Sequence, residues 1–250
     1  MWFLDLFPGS LRDIFLLRKS RVVYERQEVK PKMVKRERMS NGQLPLVISF
    51  YTVDTPYEDE VKHLIASCEE FGIEHKIEGV PSSGSWEMNC AFKPLFILQK
   101  LEELKRPLLW VDADGVFMRK MEAVEAFSSD LGVRMYDCPD DHRSRIVSAT
   151  IFINSTDAAK RVVRLWAEEC LHLLQDKERK EEVWDQDALR RVLFNKKHGA
   201  NFKPLPVFYG KIDGHFQDEK ECSSPIIMQN QASRRYKRWV NHPEERIFGW

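Results

Sequence analysis

Two carboxylates separated by a single residue, Asp112 and Asp114, stand at the end of the apolar run Leu108-Leu109-Trp110-Val111. Paired acids in such a place suit a hard cation: oxygen ligands select Mg2+ or Mn2+, and ions held this way usually also bind phosphate oxygens of a substrate. A second acidic pair, Asp185 and Asp187, brackets Gln186 just after Trp184. A carboxylate there either acts as a base, or else Asp185 only caps a helix. Trp86, Asn89 and Lys93 recur at helical spacing, which lines them along one face. Lys93 then either points its charge into a site or is an ordinary exposed lysine.

The elements that must hold these residues follow from the pattern around them. Leu46 to Thr52 is a β-branched and aromatic run suited to a buried strand. Asp54, Thr55 and Pro56 supply a cap and an early proline for a helix whose apolar positions are Val61, Leu64, Ile65, Cys68 and Phe71, closed by Gly72. Ile73 to Val80 predicts a second strand, and 81–85 a loop. Trp86 to Leu104 is a long helical pattern, in which Pro94 predicts a break or kink between Lys93 and Leu95. Leu108–Val111 is the strongest buried-strand signal. Leu131–Tyr136 and Ala149–Asn154 read as strands, Asp157–Leu174 and Gln186–Leu193 as helices. The alternation implies an α/β fold with a mixed, mainly parallel sheet flanked by helices, whose ligands bind at the carboxyl ends of the strands. No G-x-G-x-x-G fingerprint is present, which disfavours a dinucleotide dehydrogenase.

With 250 residues, 31% of them charged and 43% hydrophobic, the chain suits one globular domain with an appendage. The longest apolar runs fall far short of the roughly 18–20 residues of a membrane span. The five cysteines include no C-x-x-C pair, so a reducing cytoplasm is the expected compartment. Equal totals of 39 basic and 39 acidic residues conceal an asymmetry: residues 1–42 hold ten basic and five acidic side chains. Apolar residues from Trp2 to Leu17 precede Arg18, Lys19, Arg21 and later basic positions. This predicts an amphipathic, basic N-terminal extension over 1–42 that either docks on its own domain, 43–250, or makes peripheral contact with an anionic membrane. Nucleic acid is a poor partner, because the basic clusters lie at the two ends and carry no recognised binding motif.

Two unrelated chemistries place an Asp-x-Asp at a strand end. In haloacid-dehalogenase-like phosphatases the first acid is a nucleophile, and their Asp-x-Asp-Gly-Val motif matches 112–116. In GT-A glycosyltransferases the pair holds the metal and diphosphate of a nucleotide sugar. Context favours the second: two strand–helix units precede the motif, and the only Asp-Asp, at 140–141, follows too soon for another α/β layer.

Over roughly residues 45–240 the sequence resembles the nucleotide-diphospho-sugar transferases of the GT-A fold. The resemblance rests on Phe50-Tyr51-Thr52, on Trp86 to Pro94 with Phe96-Ile97, on Trp110 to Asp114, on Ser148 to Asn154, on Trp184 to Leu189 and on Gln231 to Arg234. It implies a GT-A domain that moves a sugar from a nucleotide-diphosphate donor, with a UDP-sugar favoured, to a hydroxyl of a saccharide, lipid or protein. It implies Mn2+ or Mg2+ on Asp112 and Asp114; donor contacts from Tyr51, Thr52, Asp54, Trp86, Asn89, Lys93 and Arg234; and catalytic roles for Lys93, Asp185 and Asp187. Ser148 and Ala149 would leave room for sugar or acceptor. Many relatives add a C-terminal His to the metal. Ile226 to Gln231 contains none, and His215 and His242 flank it as substitutes. A phosphatase acting through Asp112 and a silent GT-A interaction protein are the alternatives.

Overall fold

A computed structural model describes residues 44–242 apart from 177, 179 and 196; the basic extension expected over 1–42 lies outside the described residues. Strand β1 (Leu46–Thr52) leads through helix α1 (Tyr57–Glu70) to β2 (His75–Val80), and helix α2 (Trp86–Leu104) returns the chain to β3 (Leu108–Val111). Both β2 and β3 pair with β1 in parallel, one on each side. Where successive crossovers leave a strand in opposite directions, the carboxyl ends splay into a crevice, so the ends of β1 and β3 face a common opening.

Short β4 (Gly115–Phe117) follows the acidic pair, then β5 (Leu131–Met135), β6 (Ile146–Ile153), helices α3 (Asp157–Gln175) and α4 (Asp185–Asn195), and β7 (Phe202–Leu205). Beyond these lie β8 (Lys211–Ile212), α5 (Phe216–Glu221), β9 (Ile227–Gln229) and α6 (Ser233–Asn241). The large sheet runs β2-β1-β3-β6-β5-β7, and a small one runs β4-β9-β8. Strand β6 is antiparallel to both its neighbours and the other pairings of the large sheet are parallel, which makes the sheet mixed, as the alternation implied.

Alternate residues of a strand face opposite sides, and both sides are covered. Val47, Leu109 and Val111 join Leu64 and Cys68 of α1, Phe117 and Ile227 of the small sheet and the adjoining Ile226 in one buried cluster. On the other side Phe50 packs edge-on against Phe92 and Phe96 of α2, with ring centroids 5.3 Å apart in each case, and lies 5.4 Å from Trp110. Trp110 is 2% exposed, and truncating such a residue to alanine costs about 3–5 kcal/mol. Gly72, at φ +65°, takes the left-handed turn that ends the first unit before β2.

Two expectations about helix ends need correction. Helix α2 runs unbroken through Pro94. Residues 93–98 are all buried, so packing against the sheet and α3 outweighs the one backbone hydrogen bond a proline removes. Asp54 does not cap α1; it sits at φ +57°, and the Thr55 hydroxyl accepts the Tyr57 amide at 3.3 Å instead. Elsewhere capping is regular: Ser85 Oγ accepts the Met88 amide at 3.1 Å at the start of α2, and Thr156 Oγ1 accepts the Ala159 amide at 3.1 Å at the start of α3.

Candidate active site

A cavity of about 220 Å3 opens over the ends of β1 and β3. Its wall holds Tyr51, Thr52, Trp86, Asn89, Lys93, Asp112, Asp114 and Asp185, residues the sequence had singled out from four separate segments. The centre of the arrangement is Lys93. Carried on α2, it is 5% exposed, and its Nζ stands 2.9 Å from Asp112 Oδ1 and 2.9 Å from Asp185 Oδ2, with the Ser148 carbonyl at 3.3 Å. Burial alone would pull the ammonium pKa down; the two carboxylates win and raise it, so Lys93 carries a fixed positive charge. It is not the ordinary exposed lysine left open above.

Asp112 leaves β3 with Oδ1 also accepting from Trp110 Nε1 at 2.7 Å. Its side chain keeps 31% of its surface accessible. Burial pushes its pKa up to about 6; Lys93 opposes the rise, and Asp114 and Asp185 add to it. Asp114 is also raised, first by burial and against the pull of the Ala232 amide, which donates to Oδ2 at 2.5 Å. That bond ties the start of α6 to the acidic turn. Asp185 is the first residue of α4 rather than its cap, and its carbonyl accepts Trp166 Nε1 at 2.7 Å.

Several positions serve the cavity indirectly. Asn89 Oδ1 accepts the amide and hydroxyl of Ser83 at 2.8 and 2.6 Å, so it pins the 81–85 loop as well as lining the wall. Thr52 Oγ1 is shared with Thr55 at 2.8 Å. Asp54, Asp187 and Arg234 are not brought to the cavity wall. Asp54 is exposed beside Glu58, whose Oε2 accepts its amide at 3.0 Å. Asp187 meets Arg143 at 3.0 Å, and Arg234 is exposed on α6. Nor do the two histidines reach the wall: His215 Nδ1 lies 3.2 Å from Tyr136 Oη, and His242 is exposed at the end of α6.

The structure adds residues the sequence did not flag. Tyr57, whose phenol is raised chiefly by burial, lines the cavity together with Cys90 and Gln229. Tyr57 opens the helix after a strand end that the sequence marks clearly; Gln229 lies on a three-residue strand with no pattern to reveal it. Trp184, 40% exposed, stands at the cavity against Trp86, ring centroids 5.9 Å apart.

The acidic pair fits a divalent cation. Among the described residues no third His, Cys, Asp or Glu completes a cluster, yet two carboxylates with substrate phosphates and water are a normal set for Mg2+. Burial raises both acids against the pull of Lys93, and a bound cation would relieve that.

Comparison with known proteins agrees with this geometry. Among solved structures, a glycosyltransferase involved in the glycosylation of the major capsid of PBCV-1 superposes with a TM-score of 0.56 at 13% identity, covering 81% of this chain and all of its own. The galactosyltransferase LgtC, solved with donor and acceptor sugar analogs, gives a TM-score of 0.48 at 10% identity, covering 74% of this chain and 87% of its own. No curated protein sequence matches the chain. The family model described as nucleotide-diphospho-sugar transferase matches residues 48–238, a span that runs from β1 into α6 and contains every residue of the cavity wall. By that match the chain belongs to the nucleotide-diphospho-sugar transferases and is a glycosyltransferase.

Proposed function

We propose that the protein moves a glycosyl group from a nucleotide-diphosphate sugar, a UDP-sugar in first place, to a hydroxyl of a saccharide, lipid or protein, with Mn2+ or Mg2+ held by Asp112 and Asp114. One observation carries this reading: Lys93 lies between Asp112 and Asp185, so a single buried ammonium joins the carboxylate assigned to the diphosphate to the carboxylate assigned to the sugar. When bound, the cation supplies charge neutralisation for the departing diphosphate. Tyr51 and Trp86 offer flat faces for the base and sugar, and Thr52 and Asn89 offer hydrogen bonds. Lys93, its three N–H groups taken by Asp112, Asp185 and the Ser148 carbonyl, holds the two carboxylates in place as charge builds on the leaving group. In the transfer the bond from the anomeric carbon to the diphosphate oxygen breaks and the bond to the acceptor oxygen forms, and Asp185 receives or orients the acceptor proton. Asp187 acts through Arg143, and Asp54 and Arg234 act from outside the cavity wall.

The test is release of nucleoside diphosphate from nucleotide sugars with Mn2+ or Mg2+. Wild-type protein should show cation-dependent release, and Asp112→Asn and Asp114→Asn should lose it while remaining folded. Retained cation-dependent turnover in both variants would overturn the assignment.

For the extension, ten basic against five acidic residues and its apolar run support peripheral binding to anionic membranes, screened beyond about 8–10 Å at physiological salt. Anionic vesicles should retain the full chain at low salt and release one beginning at Gly42; equal retention removes this role. Among the described residues no helix is long and apolar enough to cross a membrane.

A further inference from the structure

Among the described residues Lys93 is the only cation in the cavity wall, and its ammonium is engaged by Asp112, Asp185 and the Ser148 carbonyl. An ammonium has three N–H groups, so none is left for a ligand. Two indoles of the wall are committed as well, Trp110 Nε1 to Asp112 at 2.7 Å and Trp184 Nε1 to Glu182 at 3.2 Å. A diphosphate beside Asp112 and Asp114 must find its protein hydrogen bonds elsewhere, and the wall offers two phenols, Tyr51 and Tyr57. Tyr51 has Glu58 as its charged neighbour, and its hydroxyl lies against Gly79 of β2. The neighbours of Tyr57 are Cys90, Asp114 and Asp112, which sets its phenol at the acidic end of the cavity.

Tyr57 is also held in one orientation. It is the first residue of α1, just beyond the end of β1, and its ring packs edge-on against Tyr236 of α6 with centroids 6.1 Å apart. The Trp86 indole N–H is turned to its oxygen. An indole only donates, so the phenol accepts there and its own proton goes another way. Among the described residues no group accepts that proton; the hydrogen bond that Tyr57 does give within the chain comes from its backbone amide, to Thr55. Burial and the neighbouring acids both disfavour a phenolate, which leaves a neutral O–H at the cavity wall. We infer that the Tyr57 hydroxyl donates a hydrogen bond to a phosphate oxygen of the nucleoside diphosphate, so that a phenol rather than a lysine meets the leaving group. This rests on the proposed nucleotide-sugar donor and deepens it, by naming a side chain that recognises the diphosphate and the kind of bond it makes. A fixed donor of this sort stabilises charge where it builds without reorganising.

The experiment compares UDP with Mg2+, titrated by calorimetry, against uridine, followed by saturation-transfer NMR. Tyr57→Phe keeps the ring against Tyr236 and removes only the hydroxyl, so the fold should hold and the Tm should stay at the wild-type value. Its UDP affinity should fall about tenfold or more, the size of a hydrogen bond to a charged group, while its uridine affinity stays at the wild-type value. Tyr236→Phe removes the hydroxyl of the neighbouring ring, which faces Glu60 instead, and should leave both affinities as they are. Wild-type UDP affinity in Tyr57→Phe overturns the inference. Equal losses for UDP and uridine overturn it too, because the hydroxyl would then meet the nucleoside, and so does a loss of UDP affinity in Tyr236→Phe as large as in Tyr57→Phe, which would assign the effect to the packing of α1 on α6. If wild-type protein binds UDP with neither Mg2+ nor Mn2+, it is the nucleotide-sugar reading itself that fails.

Discussion

Lys93 and Asp185 form an ion pair of 2.9 Å between the middle of α2 and the first residue of α4, with 7% and 8% of their side-chain surfaces accessible. Removing one partner of a buried pair strands the other charge, at a cost of about 3–5 kcal/mol. Lys93→Met should therefore lower the free energy of unfolding by that order at neutral pH, measured by urea denaturation. Lys93→Arg should not restore it, because a guanidinium fork cannot take the place of a compact ammonium between two acids. Wild-type stability in Lys93→Met would show that the charge is not needed to hold Asp112 and Asp185 together.

The raised Asp112 carboxyl makes the metal-free protein sensitive to pH. An unfolded Asp titrates near 3.9, and in the folded chain burial lifts Asp112 to about 6. A carboxyl raised by folding favours the folded state when protonated, so its contribution is whole below about pH 3.9 and is lost as pH rises through about 6. In EDTA, Asp112→Asn should flatten the fall in Tm between about pH 4 and pH 7. An unchanged slope by scanning calorimetry would count against the shift. Cation-dependent stabilisation should run in the opposite direction, growing as the acid ionises.

Gly79 on β2 has no room for a side chain. A Cβ there would stand 2.8 Å from Val53 Cγ1 and 3.0 Å from the Tyr51 ring carbon and hydroxyl. Gly79→Ala should push Tyr51, a cavity residue, out of place, with an overpacking cost of about 1–3 kcal/mol. Its distinctive signature is a weakened UDP affinity by calorimetry while Mn2+ binding at the acidic turn persists. Unaltered UDP affinity would mean that the Tyr51 ring does not meet the nucleotide.

Ligands should separate the two Asp-x-Asp chemistries as well. UDP with Mn2+ at about one hundred times its dissociation constant should stabilise the protein by about 2.7 kcal/mol. Beryllofluoride with Mg2+, which mimics an aspartyl-phosphate, should give no shift, since the role proposed for Asp112 is coordination rather than attack. Protection by beryllofluoride without nucleotide would reinstate the phosphatase.

Much of this site was legible because its acids sit where strong local signals end. Leu108 to Val111 are buried throughout, a continuous apolar run that marks a central strand, so the position of Asp112 could be read without any partner. The same i, i+2 spacing has a different outcome at Asp185 and Asp187. Leaving a strand, both acids of the first pair reach the cavity; at about 100° per helical residue, Asp187 is turned roughly 200° from Asp185 and meets Arg143 and Arg190 instead. The small sheet was illegible for another reason. Its strands of two and three residues have too little length for periodicity and exist only through pairings distant in sequence, which hid Gln229 and the tie between Asp114 and Ala232.

The reversed direction of β6 decides which surface connection stands at the cavity end of the sheet. Because β6 enters the sheet where its neighbours leave it, the stretch ahead of it, residues 136–145, arrives at the cavity rather than at the opposite end. There the Arg143 carbonyl accepts Gln186 Nε2 at 3.1 Å and its guanidinium lies 5.3 Å over the Trp184 ring. Surface connections tolerate insertion and exchange far better than the elements they join. Grafting a longer segment between Tyr136 and Arg145 would thus change the surroundings of Trp184 while leaving β1, β3 and the acidic turn untouched.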